Sequence, residues 1–135
     1  METGTRMQQD LFGDKEPDTP HALIASDRVE GTAVRRPSGD KIGNIERLMI
    51  NKVTGQVAYA VISFGGFLGL GQKHFPIPWE RLKYSVKNES YEVAMTDVEL
   101  HQAPSFESSL DFDWGDRSEE MRVRDFYKMR TYWDS

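Results

Sequence analysis

Four glycines, Gly65, Gly66, Gly69 and Gly71, fall within the stretch SFGGFLGLGQKHF at residues 63–75. Such a stretch can cradle a phosphate when freed backbone N–H groups wrap the anion and a helix N-terminus points at it. The spacing fits neither GxGxxG nor GxxxxGK followed by Ser or Thr, and the KHFPIP that follows reads as strand. A glycine-rich connection between an inner strand and an edge strand accounts for the same residues, because glycine lets a crowded backbone bend where a Cβ would clash. Phe67, Leu68 and Leu70 are then apolar side chains at a loop tip, where polar groups are the rule. With Phe64 and Trp79 they form the candidate interaction surface.

No other constellation nominates a catalytic centre. His21, His74 and His101 lie far apart without paired metal spacing, so no metal site is expected. DFDWGD begins like a calcium loop, but Gly115 would stand at its fifth position and Arg122 at its twelfth, where a bidentate carboxylate is needed. Serines occur without a G-x-S-x-G elbow or a serine–lysine pair at catalytic spacing, and no two carboxylates pair convincingly. The expectation is a chain with no catalytic residues and no cofactor. Arg35, Arg36 and Lys41 could form a small basic patch, and aromatic residues such as Trp79, Tyr84 and Tyr91 could stack on bases. Without a basic groove the aromatics are better read as core or docking residues.

Charge distribution bears on the same question. The net charge is −5 over 135 residues, and it resides in the ends: residues 1–25 carry two basic and five acidic groups, residues 105–135 five and eight, while the middle is nearly neutral. Nothing here attracts a phosphate backbone over distance, so a nucleic-acid partner is not expected. No run approaches the roughly eighteen apolar residues of a membrane span, and the N-terminal stretch lacks the pattern of a secretory signal. A cytoplasmic protein without membrane insertion is the expectation. The absence of cysteine excludes disulfides and thiolate chemistry.

The elements that must position these residues read as mostly β. Residues 1–22 mix charge, Gly and Pro without periodicity and read as a flexible arm. From Ile24 to Met95 short β-prone runs alternate with turn chemistry, the pattern of a small barrel or sandwich. The first run spans about Arg28 to Arg36, the second follows PSGD at 37–40, and the third is QVAYAVISF at 56–64. This third strand is apolar on both faces, so one face fills the core and the other needs a cover, from the chain itself or from a second copy. Pro76 and Pro78 share one face of an extended segment and indicate a sheet edge or bulge. WERL suggests one helical turn, KYSVK and YEVAM a hairpin, and TDVEL a capped turn of helix. The tail, residues 107–135, contains a helix near 117–130 with Asp116 as cap, Glu119 in a capping box and Glu120–Arg124 at helical spacing. Val123, Phe126, Tyr127 and Trp133 form its apolar stripe and are the candidate docking residues.

GTAV, GDKIGNIERLMINKVTGQVAYAVISFGG, the FLGLG extension, PIPW with Leu82 following, and YEVAM together resemble the PRC-barrel family over residues 23–106. Members of that family include the cytoplasmic domain of the photosynthetic reaction-centre H subunit and the C-terminal domain of a ribosome-maturation factor; the GGFLGLG version is similar to small stand-alone bacterial members. The resemblance implies an all-β fold, a highly curved barrel of about six strands, used for protein–protein contact and often dimeric, with no shared catalytic residues. The resulting expectation is a non-enzymatic interaction or adaptor module, a homodimer, with the partner protein unknown. A small-ligand or RNA-binding barrel using the sheet edge and the basic patch is the alternative.

Overall fold

The computed structural model describes residues 23–65, 72–107 and 112–129. The arm at residues 1–22, with His21, and the side chains Phe67, Leu68, Leu70 and Trp133 lie outside the described residues. Six strands form one sheet: β1 (Ala33–Arg35), β2 (Lys41–Ile50), β3 (Val57–Gly65), β4 (Gln72–Pro78), β5 (Lys83–Ser85) and β6 (Ser90–Glu92). Their order is β4-β3-β2-β1-β6-β5. Every adjacent pair is antiparallel except β1 and β6, which run parallel. Among the described residues there are also three short helices, α1 (Ser26–Val29), α2 (Asp97–Gln102) and α3 (Arg117–Phe126), and a 3-10 turn at Trp79–Arg81. Among the described residues no ladder joins β4 to β5, so the six-stranded sheet is open between its two ends rather than hydrogen-bonded into a closed barrel.

Irregularities in register bend the sheet. Shifts between Val34 and Arg35, between Ile45 and Arg47, and between Met49 and Ile50 each add twist to the long β2 ribbon and its neighbours. Gly43 permits the closest approach within it: a Cβ there would stand 2.4 Å from the Ser63 carbonyl oxygen and 2.7 Å from the Phe64 ring. Only a residue without a side chain fits between β2 and the ring packed over it.

The strand predicted over Arg28–Arg36 is shorter than expected. Ser26–Val29 forms a helical turn, and Gly31, at φ +87°, swings the chain into β1. The Gly31 N–H donates to the Ile45 carbonyl at 2.7 Å, a contact to β2 that local sequence does not reveal. Other local expectations are met in part: the expected Asp116–Glu119 capping box does not form, since Asp116 accepts from Ser118 and the Glu119 carboxylate accepts from Arg122. The 3-10 turn occupies WER, the β5–β6 hairpin forms, and α2 carries a capping box between Thr96 and Glu99. Helix α3 starts on Asp116, whose carboxylate accepts from the Ser118 N–H at 2.9 Å and the Ser118 hydroxyl at 2.6 Å, bonds that hold its pKa below the usual carboxylate range. The helix stops at Phe126 rather than near 130. Lys128 adopts φ +58°, and the N–H groups of Lys128 and Met129 return to the carbonyls of Asp125 and Arg124, a left-handed C-terminal cap.

The core lies on the face of the sheet that carries Ala58, Ala60, Ile62 and Phe64 of β3, Phe75 and Ile77 of β4, and Val34, Ile42 and Ile45 from the other side. Phe64 and Phe75 meet edge to face at 4.5 Å. Tyr59 and Val61, on the opposite face of β3, are equally buried.

Candidate functional site

The second face of β3 is covered by the chain's own tail. Glu120, Val123 and Arg124 of α3 and Tyr127 at its C-cap recur at helical spacing, and all four are buried. Tyr59 donates its hydroxyl to Glu120 Oε1 at 2.8 Å and accepts from Arg124 Nε at 3.3 Å. Arg124 Nη2 donates to the Ala58 carbonyl at 3.2 Å, and Nη1 reaches both oxygens of Glu80 at 3.1 and 3.2 Å. The guanidinium also lies over the Tyr59 ring, 4.8 Å from its centroid. Trp114 completes the cover, its ring 5.4 Å from that of Tyr59. A charged side chain is tolerated at 1% exposure because its donors meet an acceptor on the strand, a phenol and a carboxylate.

The electrostatics follow from this packing. Burial pushes the Tyr59 hydroxyl's pKa upward; Arg124 opposes that rise and Glu120 adds to it. Burial disfavours the Arg124 charge, but its bonds to Tyr59 and Glu80 outweigh this and raise its pKa. Tyr127, buried between α3 and the 3-10 turn, is also pushed up, chiefly by desolvation.

The Glu120–Arg124 spacing, read from sequence as a helix-stabilising pair, therefore turns inward onto β3. The buried stripe of α3 is half polar. Of the predicted docking residues, Val123 and Tyr127 lie in the core and Phe126 packs half-buried against it. Among the predicted surface residues, Phe64 is fully buried inside the sheet and offers nothing to a partner, because Gly43 and Phe75 enclose its ring. Trp79 is half-buried, with its ring 5.4 Å from Tyr91. The basic patch is divided by intramolecular bonds: Arg36 pairs with Asp97, and Arg35 donates to the Gly39 carbonyl at 3.0 Å.

Two further polar features are local. His74 Nδ1 lies 2.6 Å from Glu46 Oε1, and its ring stacks on Phe106 at 5.6 Å. No hydroxyl nucleophile bonds to this imidazole among the described residues, and the pair fixes the ring where His74 and Phe106 exchange two backbone hydrogen bonds at 2.9 and 3.0 Å. An open cleft of about 250 Å³ lies between α2 and the end of α3, lined by Arg81, Glu99, Gln102 and Lys128 with Met95, Phe126 and Tyr127. Arg81 is turned to the protein there, donating to the Tyr127 carbonyl at 3.2 Å. Among the described residues no group of three metal-ligating side chains occurs, and no helix is long and apolar enough to cross a membrane.

The two ends of the sheet differ. In an antiparallel ladder alternate residues point their backbone groups to the same side. His74 turns its N–H and C=O outward from β4 to Phe106, so residues 76 and 78 face the same way. Both are proline, and the outer side of β4 has no further donor there. At the other end the outer side of β5 meets no strand among the described residues, and Tyr84 and Val86 beside it are 44% and 42% exposed. Sequence reading assigned Tyr84 to a hairpin and missed this edge. The sequence carried no local signal for it, because β6, the next strand, covers only one side of β5 and the sheet order that leaves the other side uncovered is set by tertiary pairing.

A family model described as PRC-barrel domain matches residues 22–99, from the start of the described chain into the first half of α2. The match leaves α3, and with it Glu120 and Arg124, beyond its end. No curated protein matches the chain. The curved six-stranded sheet and the match over more than half of the sequence give the same conclusion: this chain belongs to the PRC-barrel domain family.

Proposed function

We propose that the protein is a non-enzymatic interaction module that associates with itself, its sheet serving as a scaffold and one sheet edge as the contact. The observation that carries this is the contrast between ends: β4 lacks outward donors at Pro76 and Pro78, while β5 is uncovered and flanked by half-exposed Tyr84 and Val86. The second face of β3, an attractive surface on sequence grounds, is occupied by α3 and does not enter the contact. A cytoplasmic location fits such a module. The RNA or small-ligand alternative loses support, because Arg36 is engaged by Asp97 and the basic patch is reduced to Lys41 and a tethered Arg35.

Sedimentation velocity across a concentration series tests the proposal. Reversible growth in sedimentation coefficient with concentration is expected, together with no thermal shift on adding RNA, nucleotides or divalent cations. A monomer at every concentration, with a salt-sensitive shift on adding RNA, would overturn it.

A further inference from the structure

Resting on that reading, we infer that β5 is the seam of a two-fold dimer, in which Lys83–Ser85 pairs antiparallel with the same segment of a second copy and two six-stranded sheets become one. An exposed strand edge is a template for another strand, and the usual protections are a cover, a proline or a bulge. The β4 end has two of these, Phe106 against His74 and the prolines beyond it. The β5 end has none among the described residues.

The occupant is argued from self-complementarity. A two-fold axis at Tyr84 places Tyr84 opposite its own copy, Lys83 opposite Ser85, and Leu82 opposite Val86. Leu82 and Tyr84 lie on one side of the extended chain, and Val86 follows at the same period where the β5–β6 turn begins, so the seam is apolar on that side. The neighbouring symmetric registers are worse. Centring on Lys83 sets two lysines directly opposite one another, and centring on Ser85 sets Lys83 against Lys87; like charges across a ladder are destabilising. Arg81, which would approach Lys87 in the favoured register, is drawn aside over the Tyr127 ring at 5.6 Å.

Aromatic packing points to the same place. Trp79 lies 5.4 Å from Tyr91, and Tyr91 lies 5.0 Å from Tyr84, edge to face. This row begins half-buried, passes through buried Tyr91 and ends on half-exposed Tyr84. A second copy extends it with another tyrosine and removes the exposed part of both rings from water. With three paired residues per strand the contact is small, so the dimer is concentration-dependent rather than obligate.

The sequence contains no cysteine, which makes the register directly testable. Directly opposed residues in an antiparallel ladder have Cα atoms about 4.5–5.5 Å apart, within disulfide range. The full chain carrying Tyr84→Cys is air-oxidised beside a Val53→Cys control, whose side chain is 88% exposed on the β2–β3 turn. The expected result is a covalent dimer as the main product for Y84C and a minor one for V53C. Equal cross-linking of the two would overturn the seam. Tyr84→Lys provides a second arm, with circular dichroism and a denaturant midpoint confirming its fold. It is expected to sediment as a monomer at concentrations where the unmodified chain is dimeric. If Y84K remains dimeric, the seam is wrong although self-association stands; if the unmodified chain is a monomer throughout, both the seam and the interaction module fall.

Discussion

The two flanks of the sheet solve the same problem in opposite ways. On the β2–β3–β4 flank the central strand is buried on both faces, a buried arginine and glutamate fasten the tail to it, and the outer edge lacks donors at two prolines. On the β1–β6–β5 flank the strands are three residues long, and the row of aromatics ends half in water. The difference shows that the tail acts as a part of the fold that closes one flank, while the outer edge of the other meets no strand among the described residues.

The largest effect is expected from breaking the closed flank at its buried charge. Arg124→Ala leaves the Ala58 carbonyl without its guanidinium donor and Glu80 without its ion-pair partner, and should cost about 2–5 kcal/mol in denaturant unfolding, the range for truncating a large buried side chain. The double variant Glu120→Leu with Arg124→Met removes both charges and should recover much of that loss. If the single and double variants are equally damaging, the polar contacts do not hold the tail. Gly43→Ala comes next: the added Cβ meets the Ser63 carbonyl and the Phe64 ring, and overpacking of this kind costs about 1–3 kcal/mol. No change in midpoint would show that β2 and β3 can part enough there to admit a methyl group.

How much of this was legible in the sequence differs by flank. The period-two apolar pattern of β3 announced a strand needing cover on both sides, and Pro76 and Pro78 announced an edge, because both follow from backbone chemistry alone. The identity of the cover was hidden. Glu120 and Arg124 have the spacing of a solvated i, i+4 pair, and only the Tyr59 hydroxyl and the Ala58 carbonyl, about sixty residues away in sequence, make the inward direction favourable. Phe64 was misplaced for a similar reason: two glycines follow it in sequence, while its enclosing partners, Gly43 and Phe75, come from other strands. The β5 edge was legible as a strand but not as an end, since sheet order is a tertiary property.

A smaller effect should sharpen the comparison through pH. The folded-state pKa values of Tyr59 and Tyr127 are raised, so the folded chain keeps protons that the unfolded chain releases. Their contribution is fully present below the ordinary tyrosine pKa of about 10 and is lost as pH rises beyond it. Tyr127→Phe should flatten the alkaline limb of a stability–pH profile, because phenylalanine cannot ionise; an unaltered limb would remove Tyr127 from the account. The smallest change in stability belongs to the open flank. Tyr84→Lys should shift the unfolding of the dilute chain by no more than about 0.5 kcal/mol, as expected of a surface position. A larger loss would show that Tyr84 supports Tyr91 and the core instead of awaiting a partner.

Amide hydrogen exchange on the full chain, read at low and high protein concentration, measures both flanks at once. Protection over Lys83–Ser85 should rise with concentration while that over Val57–Phe64 stays high and unchanged. Concentration-dependent protection in Val57–Phe64, with none at Lys83–Ser85, would contradict the account and return the contact surface to β3.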